Sequence, residues 1–438
     1  MPGEEEIRGA GFEPSKRVSQ RITPDLHNGF TERPTQRGPF SFFVAKIETQ
    51  AHKPAAGRAA RVFVLLACAS IKLCLRVARR KQTNTMSTNM KALRKMQPAR
   101  GLSMEPAQVP VIGPADVLVR VKAASICGTD LHIYGWDRWS QGRIKPPVTL
   151  GHEFCGVIER IGDEVAALAL KPGDFVSAEM HVNCGHCHQC RVGEAHICPN
   201  VKIIGIDQDG AFADFVRIPA ANIIKLDPGI PEHYGAILDP LGNAVHTVLA
   251  GAIAGQSVLV TGCGPIGLMS IVVAKACGSS AVFATETNEH RRAMARRMGA
   301  DVVINPAAED AVAKILSETS GTGVDVLLEM SGNPSAIQQG FKALRAGGRA
   351  SLLGIPTESV PLDLVNDVIF KGATVQGIYG RRMYDTWEQM TALLKAGRLN
   401  LDPLFDERIS LEKFEDAFRK LQSGLAGKIL LYPNGLQH

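Results

Sequence analysis

One stretch, Ser257–Gly278, constrains the fold of this chain more than any other. It reads SVLVTGCGPIGLMSIVVAKACG: a β-branched run, a glycine turn and an apolar helix-like segment in direct succession. Gly262, Gly264 and Gly267 stand in G-x-G-x-x-G spacing immediately after the run Ser257–Thr261. Glycines so placed allow a tight turn, close approach of backbone to a pyrophosphate, and close helix–strand packing. The pyrophosphate would rest on the helix N-terminus, where unpaired N–H groups and the helix dipole favour an anion. Glu286 ends the next strand-like run, nineteen residues after Gly267, near the spacing expected for the acid that holds the ribose hydroxyls. An acid there repels a 2′-phosphate, so the pattern favours NAD over NADP. Arg291 and Arg292 follow on a helix-like segment and are candidates to soften that preference. The plainer reading is a glycine turn in an α/β domain that binds nothing.

The rhythm after residue 239 agrees with the turn. AVFATE, ADVVIN, VDVLLEM and RASLLG are short apolar runs separated by helix-like segments such as NEHRRAMARRMG and AIQQGFKALRAG. Strands alternating with helices imply βαβ units and a doubly wound parallel sheet, placed at 239–390. Upstream, DVLVRVKAAS alternates apolar and polar residues, and GVIERIG, DFVSAEM and AFADFVRI are further β-like runs between Gly and Pro turns. Residues 90–238 are therefore expected to form a mainly β domain. LEKFEDAFRKLQSGLAGKILLY, an amphipathic helix and a strand, is expected to return to it, so that 391–438 completes that domain. The fold class is α/β in two domains.

Charge and hydropathy narrow the function. Residues 1–89 carry 15 Lys and Arg against 7 Asp and Glu, whereas the rest carries 34 against 36. The basic balance belongs to the N-terminal segment, and the body has no electrostatic footprint for nucleic acid. Residues 1–89 are expected to be a disordered extension, or a leader upstream of a start at Met86 or Met90. The apolar run Val62–Ile71 is ten residues long, short of the roughly 20 that a spanning helix needs. No membrane partner is expected, and without an export signal the thiols are expected to be reduced, as in a cytoplasmic protein.

Four of the ten cysteines crowd into HVNCGHCHQCRVGEAHIC. Cys184, Cys187, Cys190 and Cys198 are spaced C-x2-C-x2-C-x7-C, which lets three thiolates converge from one loop and brings back the fourth. Four thiolates suit a closed tetrahedral zinc, although an iron–sulfur cluster uses similar ligands. A nucleic-acid-binding zinc ribbon is a third reading, opposed by the charge balance of the body. His186, His188 and His196 are expected to be exposed loop residues. Elsewhere, ICGTDLH supplies Cys127, Thr129 and His132, and GHEFCG supplies His152 and Glu153. A cysteine, a histidine and a carboxylate suit an open zinc site that keeps a position for water or substrate. Thr129 and His132 are candidates to relay a proton outward. Each residue alone is more often structural, and their spacing leaves the alternatives even.

GHEFCGVIERIGDEVAALALKPGDFV resembles the zinc signature of the medium-chain alcohol dehydrogenase family, through Gly151, His152, Glu153, Gly156, Gly162, Val165, Gly173 and Asp174. The similarity runs from Met90 to about Pro433; residues 1–89 match nothing in that family. It implies a GroES-like catalytic domain beside a Rossmann domain and two zinc ions per subunit. Cys127, His152 and Glu153 would hold the catalytic zinc, and the four-cysteine lobe a structural one, likened to a staple near a subunit contact. CGTDLHIYGWDRWSQ, ILDPLGNAVHT, LEMSG, LLGIP and GIYGRRMYDTW are similar to stretches of the members that act on L-threonine. The resemblance thus implies oxidation of L-threonine by NAD+ in a homotetramer. A polyol or diol such as 2,3-butanediol is the alternative substrate. Asp239 stands where many members carry a second zinc-binding cysteine, and the resemblance to the members that act on L-threonine implies a catalytic role for an acid there; the bland reading makes it a helix N-cap. Cofactor contacts carried over with the resemblance are Ile266, Glu286, Arg291, Leu353, Gly354, Ile355, Ile378 and Tyr379. This chain departs from the usual pattern in having Glu286 rather than Asp, and two extra residues around AALALKP.

Overall fold

The computed structural model describes residues 89–436, so the expectations for the extension lie outside the described residues except at Asn89. That residue, grouped above with the extension, opens the strand Asn89–Lys95 instead. Its neighbour Met90 and Ala92 are buried against Ala213, which ties this strand to the body.

The first body is organised around strand β1 (Asp116–Ser125), the DVLVRVKAAS run. Its alternation buries Val117, Val119 and Val121, and the strand carries straight into helix α1 (Gly128–Gly135). Strands β2 (Phe154–Ile161) and β3 (Phe175–Ala178) follow, and helix α2 (Leu238–Val248) leads away from this body. The chain then builds β4 (Ser257–Thr261), helix α3 (Pro265–Ala276), β5 (Ala281–Thr285), β6 (Val302–Ile304), β7 (Val324–Glu329), β8 (Leu344–Leu352) and β9 (Thr374–Gly377). Helix α4 (Asp385–Lys395) precedes the return, which ends in strand β10 (Lys428–Tyr432).

Strand order shows what the returning segment does. The first sheet runs Ile223–Lys225, β3, β2, β1, β10, Phe405–Ser410, with Phe215–Pro219 also paired to β1. Two strands from the end of the chain thus extend this sheet, β10 beside β1 and Phe405–Ser410 beyond it. The second sheet is β6-β5-β4-β7-β8-β9, all parallel. Strand β4 starts it, the chain winds outward through β5 and β6, then crosses over to β7 and winds the other way. That reversal opens a crevice beyond the carboxyl ends of β4 and β7, where doubly wound sheets bind their ligands. Both faces of β4 are covered: Val258 and Val260 join one core and Leu259 another. Burial on both faces explains the continuous apolar run that made this strand legible.

Gly151 precedes His152 with φ +97°, and a Cβ there would lie 2.4 Å from Phe212 Cδ1 and 2.6 Å from its main-chain nitrogen. Gly151→Ala is therefore expected to destabilise the chain by about 1–3 kcal/mol from backbone strain alone, with the clash adding to it. A lower denaturant midpoint at unchanged slope is the expected readout; an unshifted midpoint would show that the turn yields freely.

Candidate metal centre and dinucleotide crevice

The end of β1 is clamped from both sides. Ser125 N–H donates to the Glu153 carbonyl at 2.9 Å, and Ile126 N–H to the Ile429 carbonyl at 3.4 Å. Cys127 follows as the N-cap of α1, and His152 and Glu153 arrive just ahead of β2. The ligand atoms of Cys127, His152 and Glu153 all lie within 4.8 Å of one another. His152 and Glu153 are 5% and 1% exposed. His152 Nδ1 and Glu153 Oε1 are buried without a hydrogen-bond partner. Such orphaned groups cost about 1–3 kcal/mol each unless something answers them. A thiolate, an imidazole and a carboxylate converging this closely fit a divalent cation with borderline-soft character.

Asp130 backs this trio. Its Oδ2 accepts from Cys127 N–H at 2.9 Å, and its Oδ1 lies 3.7 Å from His152 Nδ1. At that separation the two are not hydrogen-bonded, and the carboxylate acts on the ring through its charge alone. Burial pushes the Asp130 carboxyl up to about 6, against the pull of His152. Thr129 is half-buried, with its hydroxyl 3.7 Å from Cys127 Sγ. The structure does not bring His132 to the same spot. Its side chain is 64% exposed and faces Asp137 at 2.6 Å, and among the described residues no hydrogen bond joins it to Thr129.

Asp239 is not part of the three-residue cluster. It is also not an N-cap: α2 begins at Leu238, its cap is Ile237, and Asp239 lies in the first turn. Its carboxylate meets Arg381, whose Nη2 lies 2.9 Å from Asp239 Oδ1 as an ion pair, without the alignment of a hydrogen bond. Arg381 is 1% exposed and grips Glu179 with two bonds, Nε to Oε2 at 2.9 Å and Nη2 to Oε1 at 2.5 Å. Its Nη1 also donates to the Asp239 carbonyl and to Asn243 Oδ1, and Trp387 Nε1 donates to Glu179 Oε2. Burial opposes the Glu179 charge, but Arg381 outweighs it and holds the carboxyl well below its ordinary range. Burial likewise opposes the Arg381 charge; Asp239 and Glu179 overcome it.

In the crevice the glycine turn is built as its spacing suggests. Gly262 adopts φ +84°, and a Cβ on Gly267 would lie 2.0 Å from the Gly262 carbonyl oxygen. Gly264 caps α3 with open space beside it, and the half-buried Ile266 follows in the first turn. Glu286 ends the chain segment after β5, with Oε2 accepting from Cys263 N–H and Oε1 from Asn288 N–H, both at 2.9 Å. Arg291 is half-buried beside this turn, whereas Arg292 is buried and donates to the carbonyls of Glu286 and Thr287. Arg292 is thereby committed to its own loop and does not reach outward, contrary to the role considered for it above. Leu353 and Gly354 both donate to the Glu329 carbonyl, which holds the LLGIP loop over β7. Ile355 is 86% and Tyr379 50% exposed on the lip, while Ile378 is buried with its N–H on the Leu352 carbonyl.

The four-cysteine lobe places Cys187 Sγ 3.4 Å from Cys190 Sγ and 3.7 Å from Cys198 Sγ, and Cys198 Sγ 3.6 Å from Cys184 Sγ. Disulfides are excluded, since bonded sulfurs stand about 2 Å apart. Four sulfurs on a tetrahedron at ~2.3 Å from one ion would be about 3.8 Å from each other. His186 and His188 are exposed. His196 is not: it is half-buried, with its ring edge-on to His246 of α2 at 5.7 Å. The contact ties the lobe to the helix that carries Asp239, a tertiary packing that spacing within the loop does not reveal.

Comparison with known proteins accords with this geometry. Residues 113–228 match the model of the alcohol dehydrogenase GroES-like domain, and residues 265–396 that of the zinc-binding dehydrogenases. An L-threonine 3-dehydrogenase from Symbiobacterium thermophilum is 51% identical over 350 residues, covering 80% of this chain and 99% of that protein. The chain belongs to the zinc-containing medium-chain alcohol dehydrogenase family. Among solved structures, a zinc-binding dehydrogenase from Sinorhizobium meliloti bound to NADP is 30% identical with TM-score 0.73, covering 79% of this chain and 100% of that one. The 2R,3R-butanediol dehydrogenase from Bacillus subtilis is likewise 30% identical, with TM-score 0.71 over the same shares. In this zinc dehydrogenase, sequence reasoning missed Asp130, Glu179, Arg381 and Lys428. Arg381 stood inside a quoted stretch, but nothing in GIYGRRMYDTW marks which arginine is buried.

Glu179 has a folded pKa below its unfolded value of about 4.3, so its stabilisation is complete above that pH and is lost as pH falls. Glu179→Gln leaves a buried guanidinium short of one partner and is expected to cost about 3 kcal/mol at pH 7. The stability gap between wild type and Glu179→Gln, read from urea midpoints, should narrow below about pH 4. A gap that is constant with pH would show that the carboxylate contributes through packing instead.

Proposed function

We propose that this chain oxidises L-threonine with NAD+ to L-2-amino-3-oxobutanoate. The observation that carries the reading is the convergence of Cys127, His152 and Glu153 in a chain that is 51% identical to an L-threonine 3-dehydrogenase over nearly all of that protein. Zinc held by these three residues would supply Lewis acidity, lowering the pKa of an alcohol hydroxyl.

The rest is done by the chain. Thr129 Oγ1, beside Cys127 Sγ, takes the hydroxyl proton from the substrate and passes it outward. His132, exposed on the same helix and paired with Asp137, is the residue proposed to hand that proton to solvent. The hydride leaves C3 of the substrate for the nicotinamide, so proton and hydride together account for the two hydrogens lost. Gly262, Gly264, Ile266 and Gly267 present the start of α3 to the pyrophosphate. Glu286 accepts the ribose hydroxyls and disfavours a 2′-phosphate, with Arg291 at the edge of the same pocket. Leu353, Gly354, Ile355, Ile378 and Tyr379 line the nicotinamide half. The Asp239 carboxylate, paired with Arg381, is assigned the role of a positioning group for the substrate.

Cys184, Cys187, Cys190 and Cys198 hold a second, structural zinc, giving two per subunit. The subunits associate as a homotetramer. In support, β9 is the outermost strand of its sheet and is exposed along its whole length, with Ile369 and Phe370 66% and 76% exposed next to it. An open strand edge flanked by apolar side chains is suited to pairing with another chain. The location proposed is the cytoplasm, with neither nucleic acid nor membrane as partner. No disulfide joins any of the eight described cysteines, and no described helix is long and apolar enough to cross a membrane.

The test is a substrate panel of L-threonine, sorbitol and 2,3-butanediol with NAD+ and NADP+, on zinc-replete protein. L-threonine with NAD+ is expected to give the highest kcat/KM, and absence of threonine turnover would sink the reading in favour of a diol or polyol. Cys127→Ser should abolish turnover and remove one zinc with little change in melting temperature. Cys190→Ser should instead lower stability and zinc content first, with activity falling as a consequence; a stable, inactive Cys190→Ser protein would mean the two sites are reversed.

A further inference from the structure

The buried ammonium of Lys428 stands against the metal centre and has no part in the reaction as derived. Lys428 opens β10 and is 2% exposed. The antiparallel register of β10 with β1, Leu430 opposite Ser125 and Leu431 opposite Ala124, carries it to the level of Cys127. Its Nζ donates to Glu153 Oε2 at 2.5 Å and to the Ile126 carbonyl at 3.0 Å. One lysine, from the far end of the chain, thus holds the peptide before Cys127 and the carboxylate after His152.

The two oxygens of Glu153 are left unequal. Oε2 is engaged by the ammonium, and Oε1 is buried with no partner. A carboxylate meeting an ion in this arrangement offers one oxygen, not two, and must share its charge with a cation already in place. Two buried carboxylates, Glu153 and Asp130, face the site beside the half-buried Cys127. Lys428 places a positive charge directly against the Glu153 carboxylate. An unpaired lysine is rarely buried to this depth, because its desolvation is costly.

We infer that Lys428 is a positioning residue that competes with the zinc for Glu153 and so keeps this carboxylate a weak, displaceable ligand. The inference rests on the metal reading above. A ligand that yields leaves the coordination position that an alcohol needs. A purely structural lysine makes the opposite prediction: its loss would loosen Ile126 and Glu153 and weaken the site.

The measurement is chelator competition for zinc on the full chain, with the ion of the four-cysteine lobe as internal reference. Lys428→Met and Lys428→Gln are expected to hold the other ion more tightly, on the order of tenfold, a size typical of outer-shell partners. Their kcat should fall while KM for NAD+ stays unchanged, because Glu153 no longer gives way. Lys428→Arg should restore both. In a Glu153→Gln background, Lys428→Met should leave zinc retention unchanged, since no charged carboxylate remains to compete for. Unchanged or weaker zinc retention in both variants overturns the inference. So does an equal gain in the Glu153→Gln background, or failure of both variants to fold. A wild-type chain that retains only the lobe's zinc refutes the metal reading itself, a result distinct from two retained ions that Lys428 does not affect.

Discussion

The guanidinium of Arg381 is the interaction on which the two bodies of this dehydrogenase depend. It sits just after the outermost strand of the parallel sheet, yet its partners belong elsewhere: Glu179 beyond β3 of the first body, Asp239 and Asn243 on the connecting helix. Trp387 of α4 closes the cluster over Glu179. A buried charge is tolerable only when its partners are present and aligned, and breaking such a pair costs far more than forming it gains. The cluster is therefore a register device. It forms only when both sheets and α2 are in place, and it fixes the crevice relative to the metal centre that the crevice serves.

The metal centre shows a similar economy in its backbone. Strand β1 ends at Ser125, and the next residues are held by the segments on either side, the Glu153 carbonyl and the Ile429 carbonyl. Three segments far apart in the chain meet at one strand end, and each brings a polar side chain: Cys127, the pair His152 and Glu153, and Lys428. The glycine at 151 is demanded by the close approach of Phe212. Small backbone requirements of this kind decide where the donors stand, and the donor set in turn decides what chemistry the site can support.

Much of this is legible in the sequence. The glycine turn, the strand–helix rhythm after residue 239 and the C-x2-C-x2-C-x7-C spacing are local patterns, dictated by sterics and by ligand geometry within a few residues. Cys127, His152 and Glu153 lie on two segments whose spacing alone does not join them; only the resemblance to the zinc signature does. His132 and His196 show the limits. The first, close to Thr129 in sequence, points to Asp137 and solvent; the second, grouped with exposed loop histidines, packs against His246. Arg292 stood beside Arg291 as a candidate at the ribose, but its guanidinium turns back onto its own loop carbonyls.

By itself, then, the sequence determined the elements and the chemistry of their ends: a parallel sheet with a phosphate-binding turn, a β-rich body, a thiolate lobe and a candidate open metal site. These follow from periodicity, turn sterics and donor spacing, which act over a handful of residues. Only the tertiary structure decided how the charges are answered. Lys428 lies 275 residues from Glu153, and Arg381 lies 202 from Glu179. A lysine or arginine in the sequence carries no mark of such a partner, because burial and pairing are properties of the assembled sheets rather than of any local pattern.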